Sequence, residues 1–142
     1  MIYLCLDYGQ KRTGVAVGNA EETLAFPRTT IPMTTRDAFF SRLFELVQET
    51  GAEGFVIGMP LHVDGAECLA TTQVRNMVAR LKRRTALPIW LMPEVLSSYE
   101  AEEDLRSVGR LRRDTKALID QQAAVRILQT FFDQPVSARK PA

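Results

Sequence analysis

Histidine occurs once in this chain, at position 62, and cysteine twice, at positions 5 and 68, with no C-x-x-C spacing. So few soft ligands, so spaced, argue against a zinc site and against a disulfide framework. Cys5 and Cys68 are expected as reduced, mostly buried thiols. No apolar run approaches the roughly 20 residues that cross a bilayer. Met1 leads straight into Ile2-Tyr3-Leu4 with neither a charged lead-in nor a cleavage-like site, so the expected location is cytoplasmic and no membrane partner is foreseen. Charge of one sign is also lacking: the net formal charge is +1, which does not describe a protein coated for polyanions. There is no internal repeat and no linker.

What remains is the profile of one ordinary soluble domain, 142 residues with 46% hydrophobic and 25% charged side chains. The charge is unevenly placed. Basic residues gather at Lys11-Arg12, Arg80 to Arg84, Arg110 to Lys116 and Arg139-Lys140, and acids at Glu100 to Asp104. A basic rim around an acidic centre fits this distribution, as does a protein with no polyanionic partner.

Hydrophobic periodicity divides the chain into alternating elements. Residues 1–9 alternate Ile2, Leu4 and Leu6 against Tyr3, Cys5 and Asp7, apolar enough on both sides for a central strand covered on both faces. A turn at residues 9–12 and a strand from Thr13 to Gly18 predict an antiparallel hairpin. Leu24 to Ile31 is a third strand, and Pro27 places it at an edge. A helix follows from Thr35, closed by Gly51, then a buried strand at Phe55 to Gly58. A loop around His62, a helix from Leu69 to Arg84 and a last strand from Ile89 to Met92 come next. Ser98 to Val108 is predicted helical, then a basic connection, then a final helix from about Thr115 to Phe132 that Asp120 opens. The fold class is therefore α/β: a mixed five-stranded sheet, three antiparallel N-terminal strands and then parallel ones, with helices on both faces. The domain is expected over residues 1–134, with 135–142 as a flexible tail.

Parallel strands joined by crossovers put their carboxyl ends on one edge, where open α/β sheets form their binding crevice. Asp7 and Glu94 both follow strand ends, and Asp120 precedes Ala123 and Ala124, whose small side chains let the last helix start close against the sheet. Three carboxylates buried together would neutralise or find a cation. Mg²⁺ or Mn²⁺ prefers oxygen ligands and keeps waters, so the candidate centre is an oxygen-rich metal site, with two ions suited to phosphodiester hydrolysis.

Leu6-Asp7-Tyr8-Gly9-Gln10-Lys11-Arg12-Thr13-Gly14-Val15-Ala16-Val17 resembles the opening motif of the YqgF/RuvX family of pre-ribosomal-RNA nucleases, also described as Holliday junction resolvases. Gly58-Met59-Pro60-Leu61 with Asp64-Gly65 is similar to its second motif, and Glu94 with Leu96-Ser97-Ser98 and Glu100-Ala101 to its third. Ile119-Asp120, Ala123-Ala124 and Ile127-Leu128-Gln129 resemble its fourth. The motifs run in order from Ile2 to Asp133. The resemblance implies a ribonuclease H-like fold and Asp7, Glu94 and Asp120 as catalytic, metal-binding acids, with Asp7 bridging two ions. It implies an endonuclease acting on structured nucleic acid, most simply at the 5′-end of pre-16S rRNA in ribosomal precursor particles, as a monomer or homodimer.

Alternatives are a resolvase cutting four-way DNA, a catalytically impaired RNA- or DNA-binding module, and a relative of the ATP-binding actin and sugar-kinase fold. The chain is long enough for only one of the two domains that last class pairs. Candidate nucleic-acid contacts are Lys11, Arg12, His62, Arg112, Arg113 and Lys116. Two positions depart from the family pattern: Pro93-Glu94-Val95 stands where Asp-Glu-Arg is common, and His62 where asparagine is expected. The first removes a guanidinium able to clamp a phosphate bidentately.

Overall fold

The computed structural model describes residues 1–94 and 113–142, with side chains of the final helix described from residue 117. The elements are β1 (Tyr3–Asp7), β2 (Arg12–Gly18), β3 (Ala25–Pro32), α1 (Arg36–Thr50), β4 (Gly54–Pro60), α2 (Leu69–Lys82), β5 (Ile89–Glu94), α3 (Arg113–Asp133), a 3-10 turn (Val136–Ala138) and β6 (Lys140–Pro141). They form one sheet in the order β3-β2-β1-β4-β5-β6. β1 pairs antiparallel with β2, and β2 with β3; β1–β4 and β4–β5 are parallel.

The alternation in β1 decides the layers. Leu4 and Leu6 enter the cluster formed with α1 and α2, while Tyr3 and Cys5 enter a second cluster with Ala124, Ile127, Leu128 and Phe131 of α3. β1, two places from the β3 edge and three from the β6 edge, is thus buried on both sides, which is why its residues are apolar in both registers. α1 is stopped at both ends by local chemistry. The Thr35 side chain accepts a hydrogen bond from the Ala38 amide, and Gly51 adopts φ 71°, where a side chain would be strained. Pro27 lies in an edge strand, at a point where the β2–β3 register skips Arg28; lacking an amide proton, it is tolerated at such a bulge.

The sheet has six strands rather than five. Residues expected as a loose tail turn back, and β6 pairs antiparallel with β5 through Trp90↔Pro141 and Leu91↔Lys140. Arg139 holds this segment down: its guanidinium lies 4.3 Å from the Phe131 ring centroid and donates to Glu22 Oε1 at 2.7 Å. Two boundaries also differ from expectation. Glu94 is the last residue of β5 rather than beyond it, and α3 begins at Arg113, so Asp120 sits about two turns inside the helix instead of opening it. The helix expected over Ser98 to Val108 falls outside the described residues. No described helix is long and apolar enough to cross a membrane.

Candidate active site at the carboxyl edge of the sheet

β1, β4 and β5 run parallel, so their carboxyl ends share an edge, and Asp7 and Glu94 are the last residues of the outer two. Between them lies Gly58 of β4. The register Leu6↔Ile57 places Gly58 beside Asp7, and Pro60↔Glu94 sets the far neighbour. A Cβ at Gly58 would stand 2.8 Å from Glu94 Oε2 and 2.6 Å from Ile127 Cδ1. The Glu94 carboxylate therefore fills the space a side chain there would take, over the strand that separates it from Asp7. Cys5, fully buried beneath them, registers both charges: burial first, then Asp7 and Glu94, push its thiol well above the ordinary range.

The third carboxylate arrives from above. Gly14 of β2 pairs with Asp7, and a Cβ on Gly14 would fall 2.0 Å from the Asp120 carbonyl oxygen and 2.9 Å from Asp120 Cβ. α3 thus rests its backbone directly on the strand next to Asp7, an approach only glycine permits. Ala123 and Ala124, both fully buried, keep the helix at that distance. Polar ties fix its register: Thr30 Oγ1 donates to the Ala117 carbonyl at 2.9 Å and accepts from Gln121 Nε2 at 3.0 Å.

The Asp120 carboxylate is ion-paired with Arg12, the first residue of β2. Burial raises the Asp120 pKa, and Arg12 opposes but does not cancel that rise. Oxygen donors of this kind suit a hard divalent ion. In position the fit is partial: Asp7 and Glu94 flank one gap, Asp120 is engaged by Arg12, and among the described residues no three His, Cys, Asp or Glu side chains lie close enough to hold a metal ion.

Beside Asp120 opens a cavity of about 500 Å³ whose walls include Tyr8, Gln10, Lys11, Arg12, Leu69 and Gln73. Lys11 and Arg12, candidate nucleic-acid contacts from the sequence, both line this cavity. His62 is exposed in the turn after β4, held by His62 N to Ala66 O at 2.9 Å and Gly65 N to His62 O at 2.8 Å. At the start of α2, Thr71 Oγ1 donates to the Pro60 carbonyl and accepts from the Cys68 amide at 3.0 Å. Separate hydrogen bonds from the Thr71 side chain, 3.4 Å away, and the Thr71 backbone to the Cys68 sulfur lower its pKa. Arg112 lies outside the described residues, and Arg113 and Lys116 are placed only as backbone in the first turn of α3. Sequence reasoning missed Gly14 and Gly58 as shapers of the site and Gln10 and Gln73 as its walls; a glycine inside a strand was the available signal for the first two.

The RuvX family model, described as Holliday junction resolvase, matches residues 1–134. A Nitratidesulfovibrio vulgaris protein named "Putative pre-16S rRNA nuclease" is 58% identical over 142 residues, covering 100% of both chains. One of the same name from Lawsonia intracellularis is 49% identical over 139 residues, 98% of each chain. Among solved structures, T. thermophilus RuvC in complex with Holliday junction substrate aligns with a TM-score of 0.60 at 12% identity, covering 100% of this chain and 99% of that one. A second Thermus thermophilus RuvC structure gives a TM-score of 0.58 at 13% identity, covering 100% of both chains. That likeness carries the fold, ribonuclease H-like α/β.

Proposed function

Since the chain belongs to the RuvX family, we propose that it is an endonuclease hydrolysing phosphodiester bonds in structured nucleic acid, with the 5′-end of pre-16S rRNA as its substrate in the cytoplasm. The observation that carries this reading is the Glu94 carboxylate lying over Gly58, one strand from Asp7 at the carboxyl edge. Carboxylates brought to one sheet edge supply the oxygen donors that a hard divalent ion takes in phosphodiester hydrolysis. The names of the full-length relatives support the substrate.

Asp7 and Glu94 would hold Mg²⁺ or Mn²⁺, and Asp120 would join them on release from Arg12. A bound ion supplies Lewis acidity and an activated water for phosphodiester cleavage. The chain's own groups do the rest. The sheet fixes the two acids, Gly58 keeps the gap between them open, and Lys11 and Arg12 draw the phosphate backbone toward the edge. The test is cleavage of precursor RNA and of four-way DNA junctions in Mg²⁺, Mn²⁺ or EDTA, with Asp7→Asn beside the unaltered chain. Loss of cutting with EDTA and with Asp7→Asn is expected, and activity surviving both would overturn the reading.

A second reading, a module that binds folded nucleic acid without cutting it, is favoured by the Arg12–Asp120 pair and by Pro93. Salt-dependent binding unchanged in Asp7→Asn, with no cleavage of either substrate, would select it.

A further inference from the structure

On the face opposite α3, a half-open cavity of about 210 Å³ lies between the start of α1 and the C-terminal part of α2. Phe39, Phe40 and Met77, all buried core residues, line it, and Arg36 and Arg80 stand at it as well. Tyr8 borders both this cavity and the larger one beside Asp120, so the two adjoin at the residue that follows Asp7. Tyr8 is itself held edge-on against Phe39, with ring centroids 5.6 Å apart at 79°.

The described cations divide into paired and unpaired ones, and Lys82 and Arg83 are among the unpaired. Arg12, Arg28, Arg42, Arg75 and Arg139 each pair with a carboxylate. Arg36, Arg80 and Lys11 have no such partner among the described residues. A lone surface arginine is usually a solvated one. Two, with no acid between them, beside an aromatic-lined hollow that adjoins the acidic edge, form a pattern that complements a nucleotide: cations for phosphates and an apolar wall for a base.

We infer that this cavity is a second nucleic-acid subsite, taking one unpaired nucleotide of the substrate strand, with its flanking phosphates on Arg36 and Arg80. The inference rests on the nuclease reading and sharpens it: a base can enter the hollow only if it is not already paired, so the substrate carries a single-stranded stretch next to the bond that is cut. Lys11 lines the adjoining cavity beside Asp120.

The experiment is fluorescence anisotropy in EDTA across a salt series, using an RNA hairpin with an unpaired extension and the same hairpin blunt-ended. The extension should tighten binding to the unaltered protein. Arg36→Glu/Arg80→Glu should abolish that gain, weaken binding of the extended hairpin about tenfold and lower the salt slope by about two. Lys82→Glu/Arg83→Glu, an equal charge change elsewhere on the surface, should keep the gain, and melting curves should show both proteins folded. If the glutamate pair does not fold, Arg36→Gln/Arg80→Gln should show the same loss. An extension gain that persists without Arg36 and Arg80, or that Lys82→Glu/Arg83→Glu removes equally, overturns the subsite and leaves the nuclease reading standing. Failure of the unaltered protein to bind either RNA would instead remove the nuclease reading, and the subsite with it.

Discussion

The guanidinium of Arg12 and the carboxylate of Asp120 form an ion pair between the first residue of β2 and the middle of α3, with 34% and 17% of their side chains exposed. Asp120 is therefore a half-buried acid whose compensating charge comes from the protein itself. An ion reaching that carboxylate competes with a tethered cation.

Removing the competitor should favour the ion. Arg12→Ala leaves Asp120 desolvated and unpaired, a state that a divalent cation relieves. In titration calorimetry, Mn²⁺ should bind Arg12→Ala several-fold more tightly than the unaltered protein, while binding of RNA weakens through loss of a backbone contact. Arg12→Lys should fall between the two. Equal manganese affinity in all three proteins would show that the pair and the metal do not compete.

Gly58→Ala tests the gap between the acids. The added methyl meets Ile127 Cδ1 and the Glu94 carboxylate, and both must move. Overpacking of this kind costs about 1–3 kcal/mol. Cleavage should fall about a hundredfold, the scale on which small misplacements of a catalytic group act. A variant that melts normally and cuts normally would dissociate Glu94 from the reaction.

Gly14→Ala should be worse for stability, because its methyl meets backbone rather than the end of a side chain. The helix would have to lift off β2, taking the packing of Ala123 and Ala124 with it. A loss above about 3 kcal/mol in urea unfolding is expected. Loss no greater than that of Gly58→Ala would mean α3 is free to shift.

A pH effect follows from Glu22. Burial raises its pKa, but hydrogen bonding and charge from Arg139, together with the Met1 amine, outweigh that and bring it below the usual glutamate value. A depressed folded-state pKa contributes stability that is present above the unfolded value and lost as pH falls through the folded one. The melting temperature of Glu22→Gln should therefore lie below that of the unaltered protein at pH 7, and the two should converge below about pH 4. Parallel curves across the whole range would assign the difference to packing.

Much of this architecture follows from local pattern. Thr35 and Gly51 bracket α1 because capping is decided within four residues, and Pro27 marks an edge because its missing proton forbids a central place. The two-sided alternation of β1 announced layers on both faces. β6 was not legible, since two residues have no period; its place depends on Arg139 reaching Phe131 and Glu22. The start of α3 was misjudged because Asp114 and Thr115, residue types that commonly cap a helix, lie inside its first turn. At the site, Asp7 and Glu94 were legible as strand ends. The contact of Gly14 with Asp120 was not, because it joins positions far apart in the chain whose meeting no local spacing records. The pairing of Arg12 with Asp120 was not legible either, for the same reason.

The two thiols offer a practical handle. Cys5 is fully buried and its thiol is pushed up by burial, Asp7 and Glu94, whereas Cys68, only partly buried at the start of α2 with its pKa lowered, is the one expected to react with alkylating dyes. A fluorophore attached by simple mixing would thus land on a single position, one residue from Leu69 in the wall of the cavity beside Asp120. Its emission would report occupancy of that cleft in real time, without any engineered residue.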